Sequence, residues 1–318
     1  MKVLMITGDA RMLEPGSEAH ERYLLQKGQV DELRVFVWGP RNVLSAFGIL
    51  TAALSTHYDV VTTQDALWRG LVGLVVARLA GSTLQVQVHG DLQALGRAGH
   101  MLMQIVLWHA DSVRVVSSRI KAQVEEVGTR AKIHILPVYI DAEAIRHAPA
   151  ADIKKEFPQF GKTVLFVGRL EAEKNCADAI RVFADVVREF PGAGLIIAGD
   201  GSKRSALQTL VRNFGLEGKV IFAGYRTDTY SLYKAVDCML VTSLYESWGA
   251  AMVEALEAGC PVVAPDVGAA LEAGATVVKR EALGDAVIEV IRSGARGRLK
   301  FALPDKEEWA RRWRETLS

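Results

Sequence analysis

Two carboxylates eight residues apart, Glu246 and Glu254, stand in the stretch LVTSLYESWGAAMVEALEAGCPVVAPDVG at residues 240–268. The stretch reads as a buried strand (Cys238–Thr242), a short loop, a helix beginning near Trp248 or Gly249, a stop at Gly259 and a second buried strand (Pro261–Ala264). With one glutamate before the helix and the other inside it, a rise of ~1.5 Å per residue sets them roughly 12 Å apart along the axis. Between them the helix N-terminus offers the backbone N–H groups of Trp248, Gly249 and Ala250, and Gly249 with Ala250 lets a ligand come close to the backbone. Polar, anionic ligands suit such a place. By itself a Glu near a helix start serves the macrodipole, and a Glu within a helix is a solvated face. The pair therefore takes its meaning from its surroundings.

LFVGRLEAEKN, residues 165–175, sets Arg169 and Lys174 directly after an expected strand, with Gly168 permitting close approach. Two cations at a strand exit suit a diphosphate, Arg as a planar fork and Lys as a compact charge. The plainer alternative is a pair of surface cations balanced by Glu171 and Glu173. LIIAGDGS, residues 195–202, is a tight strand-to-helix turn at Gly199; it lacks both the Walker pattern and the third glycine of the dinucleotide fingerprint. In VQVHGD, His89 ends a buried strand, where a lone His is ordinarily structural. Near the start, Pro15-Gly16-Ser17 sets a turn with Ser17 as the N-cap of the next helix.

These residues need strands and helices to position them, and the chain alternates the two. Strands are expected at Val3–Ile6, Leu33–Trp38, Val60–Thr63, Leu84–Val88, Val113–Val116 and Ile133–Leu136, with helices such as Glu18–Lys27, Asn42–Ser55 and Leu67–Leu79 between them. A second series follows at Val164–Val167, Leu195–Ala198, Val220–Phe222, Met239–Val241, Val262–Ala264 and Thr276–Val278. Near-continuous apolar strands separated by helices argue two α/β halves, each a doubly wound parallel sheet. Pro137, Pro149 and Pro158 punctuate a polar, helix-poor stretch, Val138–Lys162, which holds the boundary. A last helix follows Pro304, with Trp309 and Trp313 on one face. Leu92–His109 carries one polar stripe (Gln93, Arg97, His100, Gln104) on an otherwise apolar helix; with a single Arg it suits core or cleft packing better than lying on a membrane.

The chain has 318 residues, 50% hydrophobic and 24% charged, with a net charge of +1, enough for two domains with a core each. No charge run or basic stripe points to nucleic acid. Cys176, Cys238 and Cys260 are an odd number without metal-type spacing and read as core residues of a protein in a reducing cytoplasm. MKVLMITGD reads as a strand rather than a signal peptide, and no run of 18 apolar residues could span a membrane.

The motifs resemble the retaining glycosyltransferases of the GT-B architecture, the family 4 or group 1 type. Glu246 and Glu254 match its E-x7-E signature, and Trp248-Gly249 stands where an aromatic and a Gly follow the first Glu. The resemblance implies that Glu246 touches the transferred sugar, Glu254 holds the ribose hydroxyls, and Arg169 and Lys174 bind the donor's phosphates. It also implies that Gly199 lines the nucleotide pocket, that Tyr225 or Arg226 after FAG lies beside the base, and that His89 contacts the donor sugar. Gly16 matches one of two glycines that admit the diphosphate or acceptor. Gly268-Ala-Ala-Leu-Glu272 resembles G-G-x-x-E with Ala269 in place of the second Gly.

The fold implied by this resemblance is α/β, a GT-B architecture of two Rossmann-like domains facing across a cleft. Residues 1–139 would form the acceptor domain, with a C-terminal helix, 305–318, packing back on it, and 140–304 the nucleotide-sugar donor domain. The implied reaction moves a sugar from a nucleoside diphosphate sugar to a glycan, lipid-linked or small-molecule acceptor, with retention and without a cofactor. No D-x-D aspartate motif occurs, so no metal is expected and protein cations must meet the leaving group's charge. A cytoplasmic location is implied, with peripheral contact at the inner membrane face if the acceptor is lipid-linked. Alternatives are a catalytically silent nucleotide-sugar-binding subunit and a GT-B epimerase or phosphorylase. A dehydrogenase is disfavoured, since the first strand leads into TGDARMLE rather than G-x-G-x-x-G.

Overall fold

The computed structural model describes residues 1–39, 43–92 and 95–318, which fall into two compact units, Met1–Tyr139 with Pro304–Ser318 and Ile140–Leu303. Asn42, the expected start of one helix, and Gln93 of the polar stripe lie outside the described residues.

The first unit runs β1 (Lys2–Thr7), α1 (Glu18–Lys27), β2 (Glu32–Val37), α2 (Val43–Ser55), β3 (Val60–Thr63), α3 (Trp68–Ala80), β4 (Thr83–Val88), α4 (Arg97–Trp108), β5 (Ser112–Val115), α5 (Ser118–Val127) and β6 (Lys132–Ile135). Its sheet is wholly parallel, in the order β2-β1-β3-β4-β5-β6. The second unit begins with α6 (Ala142–His147) and α7 (Ile153–Glu156). It continues through β7 (Lys162–Val167), α8 (Cys176–Glu189), β8 (Ala193–Ala198), α9 (Arg204–Asn213), β9 (Val220–Gly224), α10 (Thr229–Ala235) and β10 (Cys238–Leu240). It closes with α11 (Ala250–Glu257), β11 (Val262–Ala264), α12 (Ala270–Ala273), β12 (Thr276–Val277) and α13 (Leu283–Ser293). This sheet is also parallel, in the order β12-β11-β10-β7-β8-β9, the doubly wound order of dinucleotide-binding folds. Helices cover both faces, so strands such as VVTT and AGLIIA are buried at every position.

The last helix, α14 (Lys306–Glu315), starts at Asp305, whose carboxylate accepts the Glu308 N–H at 2.8 Å. It returns to the first unit, where Trp309 and Trp313, 1% and 0% exposed, join Val3, Met5, Leu33, Val60 and Leu136 in one core. An indole of ~150–250 Å² buried at ~25 cal/mol/Å² contributes about 4–6 kcal/mol as an upper estimate, so this helix is integral to that core.

Three local readings need correction. The stretch 138–162 is not helix-poor: Asp141 and Asp152 each accept the N–H three residues on and start α6 and α7, with the prolines between and after them. The strand expected to reach Thr242 ends at Leu240, because the Thr242 hydroxyl turns aside to the carbonyls of Lys174 and Asn175. The helix after Glu246 begins at Ala250, since Gly249 is left-handed (φ 86°). In Leu92–His109, α4 packs one face inward through Met103, Val106 and Leu107 and leaves Met101, Ile105 and Trp108 at 63%, 44% and 46% exposure. The neighbouring helices also leave apolar side chains exposed, Phe47 and Leu54 on α2 and Trp68, Val75 and Leu79 on α3. Among the described residues no helix is long and apolar enough to cross a membrane.

Candidate functional site

In the second sheet the strand order reverses between β7, which leads to β8 and β9, and β10, which leads to β11 and β12. Loops leaving two such strands diverge to opposite faces and open a crevice at their carboxyl ends. The β7 loop carries Arg169 and Lys174; the β10 loop carries Glu246.

Across this reversal Lys174 Nζ donates to Glu246 Oε1 at 2.5 Å, joining side chains 72 residues apart. The same carboxylate oxygen accepts from Ser243 Oγ at 2.7 Å. The pair is largely enclosed, with side-chain exposures of 23% and 14%, so its charges are screened less than those of a surface bridge.

The two loops are tied together by backbone. Leu244 N–H donates to the Glu173 carbonyl at 2.8 Å, and Thr242 Oγ1 to the Asn175 carbonyl at 3.0 Å. Arg280, which follows β12 at the same end of the sheet, donates to the Thr242 carbonyl at 2.8 Å and to the Ser243 carbonyl, and lies 3.7 Å from Asp178. Among the described residues Asn175 alone is a non-glycine with positive φ, 48°. That conformation costs on the order of 1 kcal/mol and is held by its amide donating to Asp178 at 2.9 Å. Sequence reading missed Ser243, Arg280 and the strain at Asn175; the available signal was a cation placed just past a strand of the same sheet.

Glu254 lies within α11, where the phenol of Tyr233 donates to its Oε2 at 3.2 Å. Tyr233 is 1% exposed, and burial, reinforced by the charge of Glu254, drives its pKa well above the usual value, so the phenol stays a donor. Trp248 is 5% exposed, with its indole packed inside; its carbonyl accepts the Ala269 N–H at 2.9 Å. A Cβ at Gly268 would lie 2.5 Å from that carbonyl oxygen, and φ there is +54°, so only Gly fits. Ala269 is buried at 2%, so it fits without the second glycine of the motif it resembles.

Gly199 serves neighbouring backbone rather than open space. A Cβ there would sit 1.9 Å from the Gly168 carbonyl oxygen, because the exits of β7 and β8 interlock. Gly168 N–H donates to Ala198 at 3.1 Å and Leu170 N–H to Asp200 at 2.9 Å. Arg169 is 73% exposed and bridges Glu173 at 2.7 Å, an exposed pair that a stronger anion can displace. Glu171 instead accepts from both N–H and hydroxyl of Ser202 at 2.7 Å. Tyr225 is 81% exposed, whereas Arg226 is held by Glu156 and Asp228 at 2.6 and 2.7 Å.

The remaining expected residues belong to the first unit. Gly16 is left-handed (φ 84°) in an open turn, followed by Ser17, whose side chain caps α1 by accepting from His20 N–H. His89 lies just beyond β4, with Nε2 3.2 Å from Gln87 Oε1. Burial, with Arg114 and Arg22 nearby, pushes its pKa down to about 3, so the imidazole is neutral at ordinary pH.

Two doubly wound sheets, one with a compensated lysine–glutamate pair at its reversal, define an α/β protein of the class whose ligands bind beyond the strand ends. Residues 149–296 match the family model for glycosyl transferases group 1, and residues 10–138 match that for a glycosyl transferase 4-like domain. The chain belongs to this glycosyltransferase family, with the GT-B fold. A 2-deoxystreptamine glucosyltransferase of Streptomyces kanamyceticus is 30% identical over 65% of this chain and 59% of its own length. An N-acetyl-alpha-D-glucosaminyl L-malate synthase of Bacillus anthracis is 25% identical over 75% of this chain and 65% of its own length. The chain thus spans roughly three-fifths to two-thirds of these two relatives. Among solved structures, Anabaena Alr3699/HepE in complex with UDP-glucose is similar in fold, with a TM-score of 0.76 at 18% identity, covering 100% of this chain and 95% of that one.

Proposed function

We propose that the chain transfers a sugar from a nucleoside diphosphate sugar to a hydroxyl acceptor, with retention of anomeric configuration and without a metal or other cofactor. The observation that carries this reading is the Lys174–Glu246 contact at the reversal of the second sheet, with Glu254 following on α11. In this reading Arg169 and Lys174 take the diphosphate, Glu254 the ribose hydroxyls and Glu246 the hydroxyls of the sugar. Exposed Tyr225 suits stacking on the base. The second unit is then the donor domain and the first the acceptor domain.

As the bond from the anomeric carbon to the diphosphate oxygen breaks, the acceptor oxygen bonds to the same face. The acceptor's proton passes to the departing phosphate oxygen. Negative charge grows on the diphosphate in this step, and fixed cations aimed at it stabilise the transition state without reorganising. A uridine diphosphate sugar is the first donor to test, because the Anabaena structural relative was solved with UDP-glucose. The exposed apolar side chains of α2, α3 and α4 support peripheral contact with a membrane, and hence a lipid-linked acceptor alongside glycan and small-molecule ones.

The test is UDP release from a panel of UDP-sugars, with and without acceptors, in the presence of EDTA, followed by NMR of the product's anomeric coupling. Acceptor-dependent release with a retained configuration supports the reading; an inverted product overturns the stereochemistry. Tight UDP binding with no release from any donor and acceptor pair would favour the silent binding subunit instead.

A further inference from the structure

The first sheet also reverses, between β1 and β3. At the carboxyl ends of its strands lies a cavity of about 220 Å³, whose polar lining is Asp9, Arg22, Gln26, Gln64, His89 and Arg114. A water occupies ~30 Å³ in the liquid, so the space equals that of about seven waters, enough for a three- or four-carbon solute.

One cation in its wall, Arg114, meets only neutral acceptors. Arg114 is 2% exposed, and its guanidinium donates to the carbonyls of Leu136 and Pro137 at 3.0 and 2.9 Å and to Gln87 Oε1 at 2.8 Å, all neutral acceptors. Its guanidinium carbon lies over the Trp309 ring, 5.4 Å from the ring centroid. Burial and the charge of Arg22 bring its pKa down to about 9, which leaves it charged at neutral pH. Arg22 brings a second cation to the wall, where its charge, with that of Arg11, acts on the one lining carboxylate, Asp9; Arg11 donates to both Asp9 oxygens at 2.9 Å. His89 is neutral and offsets nothing.

A buried cation facing only neutral groups is unfavourable unless an anion joins it. The wall holds a second unmet demand. Gln26 is 3% exposed and its Oε1 is buried with no hydrogen-bond partner. Buried acceptors are normally satisfied, so this oxygen calls for a donor from whatever fills the cavity.

We infer that this cavity binds a small anion, carboxylate or phosphate, that also carries a hydroxyl. Arg22 and Arg114 take the anionic group, and Gln26 Oε1 accepts the hydroxyl proton. Arg114 is held in place through Gln87, which accepts from it at 2.8 Å and whose Nε2 donates to Thr62 at 2.8 Å. The biological use rests on the proposed function: the anion is the acceptor, or the acceptor's charged handle, held on the first unit apart from Arg169, Lys174, Glu246 and Glu254.

The experiment uses the whole chain and follows thermal midpoint and calorimetric binding with four probes: glycerol 3-phosphate, glycerate, sulfate and UDP. At least one of the two hydroxylated anions should stabilise the protein saturably, and which one binds tells phosphate from carboxylate. Arg22→Gln, at a half-buried position, should weaken that anion at least tenfold. Gln26→Leu should weaken it at least fivefold while leaving sulfate, which carries no donor, unchanged. Neither variant should alter UDP affinity. The inference is overturned if no anion binds saturably, if sulfate binds as well as the hydroxylated probes, or if Arg22→Gln binds within twofold of wild type. Anion binding of the expected pattern without UDP binding would leave the cavity assignment standing and bring down the proposed function; UDP binding without anion binding would do the reverse.

Discussion

Replacing Glu246 by Gln should separate nucleotide binding from turnover. In the structure Lys174 is committed to Glu246 at 2.5 Å, and the carboxylate is further fixed by Ser243 at 2.7 Å. Gln keeps the volume and an acceptor oxygen but removes the charge, so the bond from Lys174 falls from a charge-assisted one to an ordinary one. Charge-assisted hydrogen bonds contribute ~1.5–3 kcal/mol and neutral acceptors about half that, so the hold on Lys174 weakens by about 1 kcal/mol. A lysine so released is more available to a diphosphate, and UDP affinity should stay level or rise by up to about fivefold. Turnover should fall at least ~100-fold, about 2.7 kcal/mol, because the group proposed to hold the sugar has lost its charge. Titration calorimetry with UDP and a UDP-release assay read the two quantities separately. If UDP affinity drops in parallel with turnover, Glu246 faces the nucleotide or only holds the loop, and the division of labour between the two glutamates is wrong.

Glu254→Ala should weaken UDP by about 10- to 150-fold, the loss of one charge-assisted hydrogen bond; unchanged affinity in a folded variant rules out a ribose contact. Arg169→Ala combined with Lys174→Ala should lower turnover at least ~10³-fold, two contacts of about 2 kcal/mol each, while wild-type activity survives EDTA. Activity lost to EDTA and restored by manganese, with the double variant nearly unaffected, would show that a metal carries that charge. His89, with a folded pKa of about 3 against an ordinary 6.5, binds no proton where the unfolded chain does. Its contribution is therefore complete above pH 6.5 and is lost as pH falls toward 3, at most ~1.4 kcal/mol per pH unit. Urea midpoints at pH 6.5 and 5 should converge in His89→Gln, and an unchanged gap would place the titration elsewhere. Gly199→Ala should destabilise the second unit by about 3 kcal/mol or more, because its Cβ would stand 1.9 Å from the Gly168 carbonyl oxygen; a melting temperature equal to wild type would refute the interlocked strand exits.

The strands were readable because a parallel strand covered on both faces is an unbroken apolar run. Val60–Thr63 is identical in expectation and structure. Where they differ, polar side chains sit on the ladder with outside help. β7 starts two residues before Val164 because Asp237 accepts from the backbone of Thr163 at 2.8 Å and from Lys162 Nζ at 3.0 Å. The six- and four-residue helices α6 and α7 escaped notice because each is under two turns long, too short to show a period.

Strand order is what the chain does not spell out, and the candidate site depends on it. Lys174 and Glu246 belong to separate motifs, and only a sheet that reverses between β7 and β10 sets their loops side by side. Arg280 joins them for the same reason, from a third strand end at the same edge. Arg114 shows the opposite difficulty. SVRV fits a buried strand so well that its arginine passes unremarked, although a guanidinium 2% exposed inside such a run is far more unusual than two glutamates on a helix. Each unit thus holds an enclosed cation, Lys174 at the reversal of the second sheet and Arg114 on β5 of the first. In the second unit Glu246 already answers it, so a ligand there must compete for Lys174. In the first unit only neutral oxygens meet Arg114, so an anion entering that cavity displaces no carboxylate from it.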